Sequence, residues 1–102
     1  MRMLVMWRHP EGPSARDGAE WAHREAVRAT AALGAKRAAL VQLLPVDHHP
    51  LEHDWLLEVD FASEERAFAA LRAPALVDLL LDLRMLGMKP AVTFAESPAE
   101  DD

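Results

Sequence analysis

The chain has 102 residues, 51% of them apolar and 27% charged, with a formal net charge of −6, a balance and a length that suit one globular domain. The absence of cysteine excludes disulfides, thiolate nucleophiles and thiolate metal sites. No apolar run reaches the roughly 18 residues of a membrane span, and no basic stripe offsets the acidic surplus, so neither a membrane nor a nucleic acid is expected as partner and the cytoplasm is the default compartment.

Met3 to Arg8 reads as a short apolar strand, broken by His9-Pro10-Glu11-Gly12-Pro13-Ser14. Asp17 followed by Glu20 has the spacing of a capping box, with Ser14 as the alternative cap. The helix that follows carries Ala22, Ala26, Ala29 and Leu33 on one stripe and stops at Gly34, suited to a left-handed C-terminal position. Ala35 to Leu44 reads as a second strand, and Val46 to His53 as a loop with Pro45 before it and Pro50 within it. In Asp54 to Ala62, Trp55, Leu57, Val59 and Phe61 alternate with Leu56, Glu58 and Asp60, the clearest period of two in the chain. Ser63 caps a second helix, with Glu64 and Glu65 at its positive end. Pro74 divides this helix, and its second piece ends near Gly87. Ala91 to Glu96 reads as the last strand, so the domain is expected to span 1–96, with 97–102 an acidic, frayed tail.

This order is βαββαβ, an α+β arrangement in which two right-handed crossovers build a four-stranded antiparallel sheet with both helices on one face. If Trp55, Leu57, Val59 and Phe61 face the helices, the bare side carries Leu56, Glu58 and Asp60. Leu4, Met6, Leu40, Gln42, Leu44, Ala91, Thr93 and Ala95 are expected to join them there. Such a face is too apolar to stay wet, which predicts a homodimer.

Trp21-Ala22-His23 followed by Ala31-Ala32-Leu33-Gly34 is similar to the aromatic-to-histidine helix of the EthD-like group of small proteins. Glu58-Val59-Asp60-Phe61-Ala62-Ser63, then Ala70-Leu71-Arg72-Ala73-Pro74, resembles that group's passage from strand to helix. One departure is Glu25, which stands where the group's helix carries proline. The chain thus resembles the dimeric α-β barrel superfamily. That resemblance implies a ferredoxin-like subunit whose sheet pairs with a second copy's to close a barrel, and a ligand held between sheet and helices. The superfamily includes cofactor-free monooxygenases, haem-degrading enzymes, polyketide cyclases, lactone isomerases and proteins without known activity, and fold alone does not choose among them.

His23 borders the apolar stripe of the first helix, where a histidine can act as general base near neutral pH or orient a ligand hydroxyl. The competing reading is a boundary histidine bonded to backbone or water. Glu58 and Asp60 project from one face of their strand, where mutual repulsion would raise one pKa; the competing reading is a structural ion pair with Arg8. His48, His49 and His53 lie in a proline-bounded loop rather than on a helix, so no metal site is expected. Trp7 and Trp55, with Met85 and Met88, are candidates for lining a ligand pocket, against the simpler reading as core.

Two functions stay open. One is a small homodimer that binds an apolar or aromatic ligand without catalysis. The other is a cofactor-independent enzyme of monooxygenase, cyclase or isomerase type acting on an aromatic or polyketide-like metabolite, which requires an apolar pocket with His23 on its wall. A third reading, haem binding, would need His23 as axial ligand. No cofactor is otherwise expected.

Overall fold

Strand β1 (Arg2–Trp7) buries every second residue: Met3 and Val5 are fully enclosed and Trp7 is 1% exposed, as a strand with one face on a core requires. In the computed structural model, which describes residues 1–96, there follow α1 (Ala15–Ala32), β2 (Arg37–Gln42), β3 (Trp55–Asp60), α2 (Glu64–Ala70), α3 (Pro74–Met85) and β4 (Ala91–Ala95). The acidic stretch 97–102, expected to fray, lies outside the described residues. No helix among these residues is long and apolar enough to cross a membrane.

The four strands form one sheet in the order β2-β3-β1-β4, every neighbouring pair antiparallel. The βαββαβ reading therefore holds, with the second helix in two pieces. Closure of sheets into a barrel does not: β2 and β4 each have a single neighbour, and the sheet is open. Closing a barrel takes strand tilt and stagger, with about eight strands in the smaller examples; this chain supplies four.

Local signals explain the helices unevenly. The Ser63 hydroxyl accepts a 3.2 Å hydrogen bond from the Arg66 amide, and Pro74 sits at the start of α3, where no amide proton is needed. Helix α1 starts differently from the expected capping box. Ser14 occupies the N-cap without a side-chain bond, and Asp17 lies inside the first turn, beside the positive end of the helix.

The buried residues of helix α1 are all alanines, Ala19, Ala22, Ala26 and Ala29, so its backbone can lie close to the sheet. Helix α3 supplies bulk through Leu76, Leu79 and Leu83, each of the kind whose truncation to alanine costs about 2–5 kcal/mol.

The register settles the two faces. Leu57, Val59 and Trp55 face the helices with Met3, Val5 and Trp7. Leu40 pairs with Leu57 and packs against the same core, so β2 is one residue out of phase with expectation. Leu40 and Gln42 belong to the helix side, and Arg37, Ala39 and Val41 to the bare side. That bare side is graded along the strands. One end carries the row Arg37, Asp60, Arg2 and Ala95; the middle carries Ala39, Glu58, Leu4 and Thr93; the far end carries the apolar row Val41, Leu56, Met6 and Ala91.

Candidate functional site

The candidate site lies where β1 ends and β3 begins, under the N-terminal half of α1. Trp7 and Trp55 are cross-strand partners on the helix side of the sheet, and same-face partners of this kind stand roughly 4.5–5.5 Å apart at Cβ. His23, one helical turn into the buried stripe of α1, meets Trp55 edge-on, with ring centroids 4.2 Å apart and planes at 69°. On the outer side, the Trp55 indole N–H points to His9 Nδ1 at 3.5 Å, a long contact.

Asp54 fixes this arrangement. Its amide donates to the Trp7 carbonyl at 2.9 Å, its carbonyl accepts from the Leu43 amide at 2.8 Å, and its carboxylate accepts from the His9 amide at 2.7 Å. One residue thereby ties the ends of β1 and β2 to the start of β3 and holds His9 beside Trp55.

Two ring nitrogens in the cluster, Trp7 Nε1 and His23 Nε2, are buried and have no hydrogen-bond partner among the described residues. A buried polar atom left unpaired costs about 1–3 kcal/mol, so both are poised to take a partner. Burial pushes the His23 imidazole below its ordinary value of 6.5; the neighbouring His9 adds to that shift and Glu20 opposes it. His23 is therefore neutral at neutral pH, with Nε2 able to accept a proton.

The open pocket expected beside His23 is not preformed: Trp55 and the buried Trp7 occupy the gap between helix and sheet. Two clefts lie elsewhere. One of about 760 Å³ is bordered by Arg2, Lys36, Arg37 and Asp60, and one of about 410 Å³ by Arg8, Leu51, His53 and Lys89. His23 lines neither cleft.

The remaining candidates are scattered. Glu58 and Asp60 pair with Arg2, not Arg8: Arg2 Nε lies 2.7 Å from Asp60 Oδ1, and its Nη1 lies 3.5 Å from Glu58 Oε1. The register gives the reason, since Arg2 stands opposite Asp60 whereas Arg8 lies past the other end of β1. The Arg2 guanidinium, through its hydrogen bond above all, holds the Asp60 carboxyl below its usual range, the opposite of what a catalytic acid needs. Met88 is fully buried in the core while Met85 is 76% exposed, so the two do not form one wall. Among the described residues no cluster of three or more metal-ligating side chains occurs, His48, His49 and His53 included. Sequence reasoning missed His9 and Asp54. The proline-rich break after β1 and the acid immediately before the alternating strand mark their positions but not their contact.

No protein-family model matches this chain, and no curated protein sequence matches it. Solved structures do. A dimeric ferredoxin-like protein of unknown function from Jannaschia sp. superposes with a TM-score of 0.70 at 17% identity, covering 94% of this chain and 97% of its own. The fold is ferredoxin-like. An ethyl tert-butyl ether degradation (EthD) family protein from Bacillus halodurans shares the ferredoxin-like core with a TM-score of 0.64 at 10% identity, over 94% of this chain and 100% of that one. A variant of SnoaB, a cofactor-independent oxygenase from Streptomyces nogalater, gives 0.55 at 18% identity over 98% and 97%. At such identities the likeness is one of fold. The expected kinship with EthD-like and monooxygenase-like ferredoxin folds holds at that level.

Proposed function

We propose that this protein is a small homodimeric enzyme of the cofactor-independent oxygenase type, acting on an electron-rich aromatic or polyketide-like metabolite in the cytoplasm. The observation that carries the reading is the pair of unpartnered buried nitrogens, Trp7 Nε1 and His23 Nε2, at one end of one helix–sheet layer. The likeness to SnoaB and to the EthD family protein raises its weight.

The shared first step of such reactions is removal of a proton from a phenol or an activated carbon acid. His23, kept neutral by burial, takes that proton on Nε2. The electron pair spreads onto a substrate oxygen, which accepts a hydrogen bond from the Trp7 indole N–H. The resulting carbanion or phenolate reduces dioxygen. One oxygen atom replaces the two hydrogens of a ring methylene to give a quinone carbonyl, and the other leaves with those hydrogens as water. Trp55 must swing aside to admit the ring, and only the long 3.5 Å contact to His9 holds its indole N–H.

The dimer is proposed through the bare sheet face, where the apolar row Val41, Leu56, Met6 and Ala91 would otherwise stay wet. The dimeric state described for the Jannaschia protein supports it.

The test is dioxygen uptake with a panel of hydroxylated polycyclic arenes that carry an acidic ring methylene, followed by product mass. Turnover that falls by about 100-fold or more in His23→Gln, the scale of a lost general base, supports the reading. Saturable binding without turnover would assign a non-catalytic carrier instead.

A further inference from the structure

The second cleft, of about 410 Å³, lies past the end of β1 and is lined by Arg8, Pro50, Leu51, Glu52, His53 and Lys89. Its volume is within the range of small-ligand sites. In a chain with a net charge of −6, this cleft gathers two full cations and one carboxylate. Neither Arg8 nor Lys89 makes a salt bridge among the described residues, where Arg2, Arg16 and Arg28 all do.

The backbone around Lys89 is unusual. Lys89 has a φ of 46° and is followed by Pro90. A residue before proline is normally driven to extended conformations, and a side chain beyond Cβ makes the left-handed region costlier still. The turn is held on both sides: Met88 is fully buried in the core, and its carbonyl accepts a 2.7 Å hydrogen bond from the Arg8 amide. That bond couples the backbone positions of the two cations. Backbone strain that the surroundings enforce is a mark of functional segments. Pro50 and Leu51 add apolar lining to the same cleft, with Leu51 40% exposed.

We propose that this cleft binds an organic carboxylate, the anion held between Arg8 and Lys89 and its apolar body laid on Pro50 and Leu51. A guanidinium takes a carboxylate with two parallel hydrogen bonds, and the lysine adds a point charge. The site does not depend on the reaction proposed for the His23 cluster, and its test reads binding alone.

The experiment titrates the isotopically labelled full chain with sodium benzoate, with benzamide as neutral isostere and with inorganic phosphate at matched ionic strength. Benzoate is expected to shift the amides of Arg8, Leu51, His53 and Lys89 along saturable curves, while benzamide leaves them in place. Arg8→Gln and Lys89→Gln are each expected to weaken benzoate by about tenfold, the scale of one charged hydrogen-bonding group. Both variants are to be read only where the rest of the spectrum is unchanged; a Lys89→Arg variant, keeping the charge, should retain binding. Absent shifts, shifts insensitive to both substitutions, or an equal response to phosphate would each overturn the proposal, the last by reducing the cleft to general anion attraction.

Discussion

The His23 imidazole stands edge-on against the Trp55 indole, ring centroids 4.2 Å apart, on the side of Trp55 that faces α1. The contact both shields the base and closes its approach. Replacing Trp55 with alanine should therefore do two things at once: cost about 2 kcal/mol of stability, as a partly buried aromatic pair is lost, and raise the His23 pKa as water reaches the ring. Chemical denaturation and a histidine-resolved NMR titration measure the two effects. A His23 titration unmoved by the substitution would show that Trp55 does not control its solvation.

The depressed His23 pKa has a consequence for stability. Above about 6.5, the ordinary value, the imidazole is neutral in folded and unfolded chains alike and its contribution is complete. As pH falls below that value the unfolded chain takes up the proton first, and folding stability declines until the native imidazole also protonates at its lower pKa. Melting temperatures recorded from pH 7.5 down to 4.5 should show this decline, and His23→Gln should flatten it. An unchanged slope in the variant would assign the decline to other groups.

Asp60 acts at lower pH and with the same sign. Its carboxyl is held below the ordinary 3.8, first by the hydrogen bond from Arg2. The stabilisation is present above that value and is lost as pH falls through the native pKa. Asp60→Asn should lower stability at neutral pH and shrink the loss on the acid side. Because Arg2 is exposed, added salt should narrow the difference between wild type and variant, which melting curves at low and high ionic strength would measure.

The dimer has a direct test. Light scattering of the wild type should give about twice the 11.3 kDa of one chain. Leu56→Lys and Val41→Asp place charge in the apolar row of the bare face and should give the single-chain mass with the circular dichroism of the wild type. A wild type that stays at 11.3 kDa at high micromolar concentration removes the dimer.

What could be read from the sequence divides along a physical line. Strand β3 was legible in position and phase, because Leu57 and Val59 alternate with Glu58 and Asp60, and burial of one set followed. Strand β2 was legible in position only. Its run Ala38-Ala39-Leu40-Val41 is apolar on both faces, so its phase comes from the pairing of Arg37 with Asp60 and nothing local reveals it. The β1–β3 register likewise decides which of the arginines at the two ends of β1 meets the acids of β3. The place of His23 at the border of the α1 stripe was legible as well. Its partners were not: His9 and Asp54 are 45 residues apart in sequence and meet only once the sheet has formed.

The grading of the bare sheet face also limits how two copies could sit together. Rotation about an in-plane dyad perpendicular to the strands would lay the ionic end of each sheet on the greasy end of the other, desolvating charge against hydrocarbon. A dyad running along the strands keeps like ends together. It also places β3 of each copy over β1 of the other, so that the acid of one sheet lies opposite the base of its mate. The three rungs of side chains thus act as a polarity code that distinguishes the two ways of stacking a pair.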